Sequence, residues 1–247
     1  MSNNGTNIVQ SNGHIIEIKD LVKRFPMGDD EITVLKGISF DVENGEFLTI
    51  VGPSGNGKST LLNMITGIDR PSEGEVIVTG RQVNRMSENK LAEWRGDHVG
   101  IIFQFFQMLP SLSLLQNVIL PMDFARKYSP REREERAMNL LERVGLADQV
   151  NKLPGQVSGG QQQRAAIARA LANDPALIVA DEPTGNLDTR TTDDVFRLFN
   201  DLVEQGKTLL MVTHDKELAR QVPRVVEIID GNITRDEFVG GADWIGF

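Results

Sequence analysis

The chain has 247 residues and carries 26 Lys and Arg against 35 Asp and Glu, a formal net charge of −9. This acidic balance argues against broad binding of a nucleic-acid backbone, which needs a basic face. The complete lack of cysteine excludes disulfides and thiolate metal sites, and no apolar run approaches the roughly 18 residues that span a bilayer.

A polar tail and a β-rich region come first. Residues 1–13 are rich in Asn, Ser and Gly and lack a secretory signal pattern, so we expect a flexible tail. Alternating patterns at 14–25, 33–41 and 74–80 predict a separate antiparallel β region. At about 150 residues per domain, we expect residues 14–247 to form a single domain.

Five short, continuous apolar runs predict buried strands. They cover residues 47–51, 99–103, 177–180, 208–213 and 225–229. Such runs are too continuous for half-exposed strands and are typical of a sheet that is covered on both faces. Because helical patterns alternate with these runs, the sequence predicts an α/β fold with a mainly parallel sheet.

Helical patterns occupy the segments between the runs. One apolar stripe consists of Ala137, Leu140, Leu141 and Val144 before Gly145, and another of Val195, Leu198, Phe199 and Leu202 before Gly206. The stretch of about 105–157 lacks a clear strand and contains helical patterns. It is predicted to be an α-helical subdomain inserted in the α/β core.

A phosphate-binding loop is predicted between the strand at 47–51 and the helical start at Leu61. The sequence GPSGNGKST matches G-x-x-x-x-G-K-[ST] in the required strand–loop–helix context. Its glycines let backbone N–H groups turn toward phosphate oxygens, Lys58 reaches the β- and γ-phosphates, and Ser59 offers a hydroxyl to Mg²⁺. The candidate binding residues are Gly52, Ser54, Gly55, Asn56, Gly57, Lys58, Ser59 and Thr60.

A second glycine motif, VSGGQQQR at 157–164, opens a predicted helix over 161–171. Ser158 is a plausible N-cap because its hydroxyl can accept a backbone N–H of the first turn. The N–H groups at this end form a second anion site. The sequence therefore predicts two anion sites in a chain that binds one nucleotide.

Two adjacent carboxylates follow the buried run at 177–180. An acid at the carboxyl end of a buried strand lies at the crevice where α/β folds bind ligands. We expect Asp181 to hold Mg²⁺, directly or through water. Glu182 then faces the γ-phosphate and acts as the base that activates a water molecule for in-line attack.

With these motifs in place, the sequence resembles the ATP-binding subunits of ABC transporters over nearly its whole length. The matching elements occur in the family's order: GPSGNGKST, Gln104 after VGIIF, VSGGQQQR, LIVADEPTGNLD and His214 after MVT. The resemblance implies a P-loop NTPase core and an ATPase that uses ATP and Mg²⁺. It also implies a homodimer in which two subunits, arranged head to tail, bury two ATP molecules.

The resemblance assigns further roles. Phe25 stacks on adenine, although the family more often has Tyr there, and His214 contacts the γ-phosphate. Gln104 touches Mg²⁺ and the attacking water, beside Ser59 and Asp181 at the metal. The ATP bound by the opposite subunit is contacted by Ser158, Gly159, Gly160, Gln161 and Asp188. Val157 replaces the family's usual Leu, a change that affects packing alone.

Two segments indicate which branch of the family the sequence resembles. The long loop at 25–37 and the apolar stretch at 101–122 look like the lipoprotein-release and macrolide-efflux (LolD/MacB-like) type, which works with force-transmitting permeases. The resemblance implies a transmembrane permease partner, contacted through Phe105–Met122, no nucleic-acid partner, and a peripheral location on the cytoplasmic face of the inner or plasma membrane. Packing of these apolar residues within the subdomain is the alternative interpretation.

Two other functions are compatible with the motifs. One is an FtsE-like regulatory ATPase whose membrane partner controls an extracytoplasmic hydrolase. The other is a soluble ABC ATPase that acts on nucleic acid or ribosomes, which the charge of −9 disfavours. For the regulatory ATPase, the intact Glu182 and His214 argue against a dead site but not against slow turnover.

Overall fold

The computed structural model describes residues 13–238. The predicted tail, apart from Gly13, and residues 239–247 lie outside the described residues. Within the described range the strands are β1 (His14–Met27), β2 (Asp30–Glu43), β3 (Phe47–Val51), β4 (Glu73–Val78), β5 (Arg81–Gln82), β6 (Val99–Ile102), β7 (Leu177–Asp181), β8 (Thr208–Val212), β9 (Arg224–Ile229) and β10 (Asn232–Phe238). The helices are α1 (Lys58–Ile65), α2 (Glu88–His98), α3 (Leu114–Phe124), α4 (Pro130–Arg143), α5 (Gly159–Ala170), α6 (Thr189–Glu204) and α7 (Lys216–Ala219).

The chain divides into two compact units. Of the described residues, the first comprises 13–91 and 214–238, and the second comprises 92–213. The prediction of one domain with an insertion at about 105–157 stays a prediction. Among the described residues, no helix is both long and apolar enough to cross a membrane.

The first unit contains the predicted antiparallel β region. Its sheet has the order β2-β1-β4-β5, and the long hairpin pairs His14 with Glu43 at one end and Met27 with Asp30 at the other. A second set of strands places β9 parallel to β3 and antiparallel to β10. All five residues of β3 are buried, so the phosphate loop begins directly after a strand in the interior of this unit.

The second unit contains the predicted parallel strands and the helical stretch. β7 pairs in parallel with both β6 and β8, and Asp181 at the end of β7 lies beside Val212. Helices α3, α4 and α5 pack against one another. The α/β class is therefore confirmed, with parallel strands in this unit and an antiparallel sheet in the other.

Three details differ from the sequence-based expectations. Residues 105–113 form a loop instead of a helix, because the capping box of Ser113 and Gln116 begins α3 at Leu114. In α6 the buried stripe includes Phe196, whereas Leu198 is half-exposed. Strand β10 was not predicted, since it is polar and mostly exposed.

Asn117 fixes the shape of that loop. Its amide is completely buried, and its Oδ1 accepts the N–H of Leu109 at 2.8 Å. Its Nδ2 donates to the carbonyl oxygens of Leu109, Leu112 and Ser113 at 3.0 to 3.1 Å. One buried side chain thereby satisfies the backbone of an otherwise irregular segment.

Arg224 at the start of β9 stabilises the first unit. It is 8% exposed and makes a bidentate pair with Asp236, with both distances 2.7 Å. It also contacts Glu46 at 2.9 Å and donates to the carbonyl oxygen of Asp41. The hydrogen bonds to Asp236, reinforced by Glu46, raise the pKa of the Arg224 guanidinium above its usual value.

We expect Arg224→Met to lower the free energy of unfolding by about 3 kcal/mol, because it leaves two half-buried carboxylates without their cation. Urea denaturation measures the loss. Arg235→Met is the matched control on the neighbouring strand, since Arg235 forms an exposed pair with Glu237 and should cost at most about 0.5 kcal/mol. Equal losses in the two variants would contradict this account of Arg224.

Candidate active site

The phosphate loop joins β3 to α1, and its glycines are required by close contacts. Gly52 has φ +146°, and a Cβ there would collide with the carbonyl oxygen of Ile228. Gly57 has φ +92°, and a Cβ there would lie 2.7 Å from Cδ2 of Leu35. The loop is therefore pressed against β9 and β2, and larger residues at these two positions would displace it.

Lys58 lies inside the curve of this loop. The residue is 7% exposed, and its Nζ donates to the carbonyl oxygens of Gly52 at 2.8 Å and Pro53 at 2.9 Å. It is also the first residue of α1, after Gly57 as N-cap. The ammonium group and the first-turn N–H groups of Lys58, Ser59 and Thr60 thus occupy one end of the helix, an arrangement suited to phosphate.

Asn56 contributes a contact that its place in the motif did not reveal. Its Oδ1 accepts the backbone N–H of Asp230, in the turn between β9 and β10, at 2.5 Å. Its Nδ2 donates to the carbonyl oxygens of Pro53 and Ser54. Asn56 therefore ties the tip of the loop to a turn 174 residues away in the chain.

Phe25 lies near the end of β1, opposite Ile32 of β2. It is 37% exposed, which leaves part of the ring accessible for stacking. Lys23 places its Nζ 4.7 Å from the ring centroid and pairs with Asp69 at 2.7 Å. A cation held against the ring in this way stabilises the position of the aromatic side chain.

Asp181 and Glu182 lie where β7 ends and the chain turns sharply. Glu182 has φ +48°, which is uncommon for a residue with a side chain. Its N–H donates to the carbonyl oxygen of Val212 at 2.9 Å, and its own carbonyl oxygen accepts the N–H of Gly185 at 3.2 Å. The backbone is thus held in a strained conformation of the kind that concentrates at functional sites.

Gln104, two residues after β6, lies against this turn. The Nδ2 of Asn186 donates to the carbonyl oxygen of Gln104 at 3.3 Å. The Nε2 of Gln104 lies 3.5 Å from the position that a Cβ on Gly185 would occupy. The structure therefore brings together two elements that the sequence predicted separately, the glutamine after β6 and the turn that carries Glu182.

Ser158 caps α5, as predicted. Its Oγ accepts the N–H of Gln161 at 3.3 Å, while the Oε1 of Gln161 accepts the N–H of Ser158 at 2.9 Å. This reciprocal cap gives Gln161 a role within its own helix that the sequence analysis missed, although the spacing of Ser and Gln could have indicated it. Gly159 and Gly160 form the first turn.

The start of α5 also packs against the start of α6. A Cβ on Gly160 would lie 2.7 Å from Cγ2 of Thr191. Thr191 in turn donates its hydroxyl at 2.7 Å and its N–H at 3.1 Å to the carboxylate of Asp188, the N-cap of α6. The hydroxyl of Thr191 and then its N–H hold the pKa of Asp188 below its usual range, so Asp188 is ionised at neutral pH.

His214 lies two residues beyond the end of β8 and is exposed. Within residues 13–238, no cluster of three or more His, Cys, Asp or Glu side chains could hold a metal ion by itself. The predicted set of one hydroxyl, one amide and one carboxylate, from Ser59, Gln104 and Asp181, has the hard-oxygen chemistry that Mg²⁺ prefers.

The second unit also contains a cavity of about 980 Å³. Its lining includes Ile101, Phe103, Leu120, Phe124, Arg126 and Arg169. Phe124 is 79% exposed and Phe105 is 68% exposed. Leu114, Val118 and Met122 are fully buried instead, so packing within the subdomain accounts for part of the apolar stretch, and the permease contact stays a prediction for the rest.

Arg169 supports one wall of this cavity. Its guanidinium donates to the carbonyl oxygens of Phe106 at 2.7 Å and Gln107 at 2.5 Å. Gln107 has φ +50°, and burial lowers the pKa of Arg169. One charged side chain of α5 thereby fixes the loop that follows Gln104.

Comparison with known proteins places these motifs in a family. The family model described as ABC transporter matches residues 35–185. An ABC transporter ATP-binding protein of Thermotoga maritima is 48% identical over 219 residues, which cover 89% of this chain and 93% of the relative. YvrO of Bacillus subtilis, another ABC transporter ATP-binding protein, is 45% identical over 90% of this chain and 97% of the relative.

A longer relative contains a similar segment. The macrolide export ATP-binding/permease protein MacB of Bordetella avium is 46% identical over 223 residues, which cover 90% of this chain but 34% of that protein. Among solved structures, the ATP-binding cassette MJ0796 in a dimeric post-hydrolysis state with ADP and Pi has a TM-score of 0.86 and 42% identity. The similarity covers 92% of this chain and 100% of that one.

Proposed function

Because this chain belongs to the ABC transporter family, as one of its ATP-binding cassettes and as an ATPase, we propose that it is the motor subunit of a transporter with a separate membrane permease. The observation that carries the proposal is the phosphate loop, in which a buried Lys58 lies at the first turn of α1. Contacts with neighbouring strands at Gly52 and Gly57 fix the shape of this loop.

The reaction is attack of water on the γ-phosphate. The water oxygen bonds to phosphorus, the bond to the bridging oxygen breaks, and ADP leaves with that electron pair. Glu182 accepts the proton of the attacking water, with His214 and Gln104 orienting it. Lys58 and the first-turn N–H groups of α1 neutralise charge on the phosphates. Mg²⁺, held by Ser59, Gln104 and Asp181, supplies further charge neutralisation when bound.

The start of α5 supports a dimeric site. In the cap the Ser158 oxygen accepts the N–H of Gln161, so its O–H can still donate. Ser158 and the N–H groups of Gly159 and Gly160 can therefore donate hydrogen bonds to an anion from outside. We propose that they bind the γ-phosphate held by the loop of a second copy, beside Asp188. The dimeric structure of the MJ0796 cassette, which is 42% identical to this chain, supports this arrangement. Phe25 supplies the stacking surface for adenine.

The cavity lined by Phe103, Leu120 and Phe124 supports a permease contact. Large exposed apolar side chains that rim a cavity are typical of a partner surface, and Phe124 is 79% exposed. We propose that short cytoplasmic helices of the permease bind there, at the cytoplasmic face of the inner or plasma membrane. Similarity to MacB, in which a related segment occurs within an ATP-binding/permease protein, supports a force-transmitting permease.

Because the chain lacks cysteine, a single introduced thiol tests this contact. Leu112→Cys lies in the loop that Asn117 holds, and we expect it to crosslink to a permease in native membranes. Glu134→Cys, on the exposed face of α4, is the matched control and should give no such product. The crosslinked partner is identified by mass spectrometry.

A crosslinked permease with a large extracytoplasmic domain would support the force-transmitting type. A compact multi-helix pore would overturn that branch and leave the motor function intact. Crosslinking of Glu134→Cys but not Leu112→Cys would contradict the proposed surface. Recovery of no membrane protein with either variant would remove the transport function and leave the hydrolysis chemistry.

A further inference from the structure

Gln163 is the buried member of a run of three glutamines in α5. Gln161 and Gln162 are half-exposed, whereas Gln163 is 0% exposed. Its Nε2 donates to the carbonyl oxygen of Pro183 at 2.7 Å. Its Oε1 accepts no hydrogen bond within the described part of the chain. A buried amide with one unpaired oxygen costs stability relative to an apolar side chain of the same size, so stability alone does not explain this glutamine.

The hydrogen bond reaches the residue directly after Glu182. The backbone of Glu182 is held on its other side by Val212, whose carbonyl oxygen accepts the N–H of Glu182 at 2.9 Å. Pro183 has no N–H, so its carbonyl oxygen is the one backbone group through which neighbours can hold it. Together, these two hydrogen bonds fix both flanks of a residue with φ +48°.

The helix that supplies Gln163 is rigid and has its other end at the proposed dimer contact. Ala165, Ala166, Ile167 and Ala168 are all fully buried, so close packing holds the middle of α5. Ser158 and Gly160 at its N-terminus are the groups that we assign to the nucleotide of the second copy. A shift of α5 on that nucleotide is therefore passed through Gln163 to Pro183.

We propose that Gln163 is a positioning residue that links the nucleotide contact at the start of α5 to the orientation of the Glu182 carboxylate. The inference rests on the proposed function, in which Glu182 is the base and α5 contacts a second nucleotide. Gln163 itself touches neither nucleotide nor water. It acts by holding the turn from which Glu182 projects.

The test is a double-mutant cycle of steady-state hydrolysis rates measured over a range of MgATP concentrations. Gln163→Met keeps the volume but removes the donor. In the wild-type background we expect kcat to fall about 10- to 100-fold, with KM for ATP changed less than about twofold. Gln162→Met is the matched control, because Gln162 makes only a 3.4 Å contact with the carbonyl oxygen of Val157, and should leave kcat unchanged.

In the Glu182→Gln background, Gln163→Met should lower the rate by less than about twofold, because its effect acts through the missing carboxylate. If Gln163→Met also lowered the rate by about 10- to 100-fold in the Glu182→Gln background, the positioning role would be overturned. Glu182 would remain the base in that case. A raised KM with normal kcat would also overturn it. Normal hydrolysis by Glu182→Gln alone would instead overturn the proposed base, so the two failures are distinguishable.

Gln163→Glu keeps the test decisive if Gln163→Met does not fold. The introduced carboxyl has the same shape and donates to Pro183 when it is protonated. Burial beside a carbonyl oxygen raises its pKa, so we expect kcat to fall from near wild type as the pH rises, relative to the wild-type profile. If the ratio of kcat for Gln163→Glu to kcat for the wild type were equally low at every pH from about 6 to 9, the proposed hydrogen bond would be contradicted.

Discussion

We expect Glu182→Gln to slow ATP hydrolysis by about 10²–10⁴-fold while ATP binding is kept. Glu182 follows a buried parallel strand directly, and its backbone is held by hydrogen bonds to Val212 and Gly185. The amide has the same shape but cannot accept a proton from the attacking water. Phosphate release measures hydrolysis, and titration calorimetry measures the affinity for ATP.

Glu204→Gln is the control for this change. Glu204 is the last residue of α6 and is exposed, so the variant should hydrolyse ATP at the wild-type rate. Near-normal turnover by Glu182→Gln would contradict the assignment of Glu182 as the base. A parallel loss of ATP affinity would show instead that Glu182 contributes to binding.

The second large effect is expected for Lys58→Ala. Removal of one preorganised donor to a reacting phosphate costs about 10²–10³-fold in rate, and the lost cation also weakens binding of the polyphosphate. The ammonium group donates to the carbonyl oxygens of Gly52 and Pro53, which place it inside the loop. We therefore expect both kcat/KM for ATP and the affinity for ATP to fall.

Lys36→Ala separates the specific role of Lys58 from the general effect of removing one positive charge. Lys36 is exposed on β2, and its contact with Gly231 is made by the backbone. The variant should keep wild-type kinetics. If Lys58→Ala and Lys36→Ala lowered kcat/KM to the same extent, the phosphate contact assigned to Lys58 would be wrong.

Elements with strong periodicity were predictable from the sequence. The run at 47–51 coincides with β3 because all its side chains are buried. The stripe at 137–144 coincides with the buried face of α4. Strand β10 escaped prediction because neither of its faces is apolar. It forms because β9 offers it a partner edge, a condition that no local pattern expresses.

The candidate site residues were predictable individually, but their connections were not. The motif identified Lys58 and Glu182, whereas the bond from Asn56 to Asp230 joins residues 174 positions apart. The bond from Gln163 to Pro183 likewise depends on how α5 packs beside the end of β7. Such contacts follow from tertiary packing, so a single sequence does not reveal them.

The loop at 105–113 differs from the helical conformation that was expected there. Its apolar composition suggested a helix, but the buried amide of Asn117 binds the backbone of Leu109 and Leu112 and stabilises an irregular path. A buried Asn can replace helical hydrogen bonds in this way because it offers both donors and an acceptor. Composition therefore predicted an apolar surface there but not its conformation.

The most direct test of the central proposal is the mass of the Glu182→Gln variant with and without MgATP, measured by light scattering. The account predicts a shift from the 27.4 kDa monomer to a dimer when ATP is bound. Adding Ser158→Arg, which leaves the phosphate loop unchanged, should restore the monomer while ATP still binds. A monomer that remains at saturating ATP in the Glu182→Gln variant would contradict the head-to-tail nucleotide site.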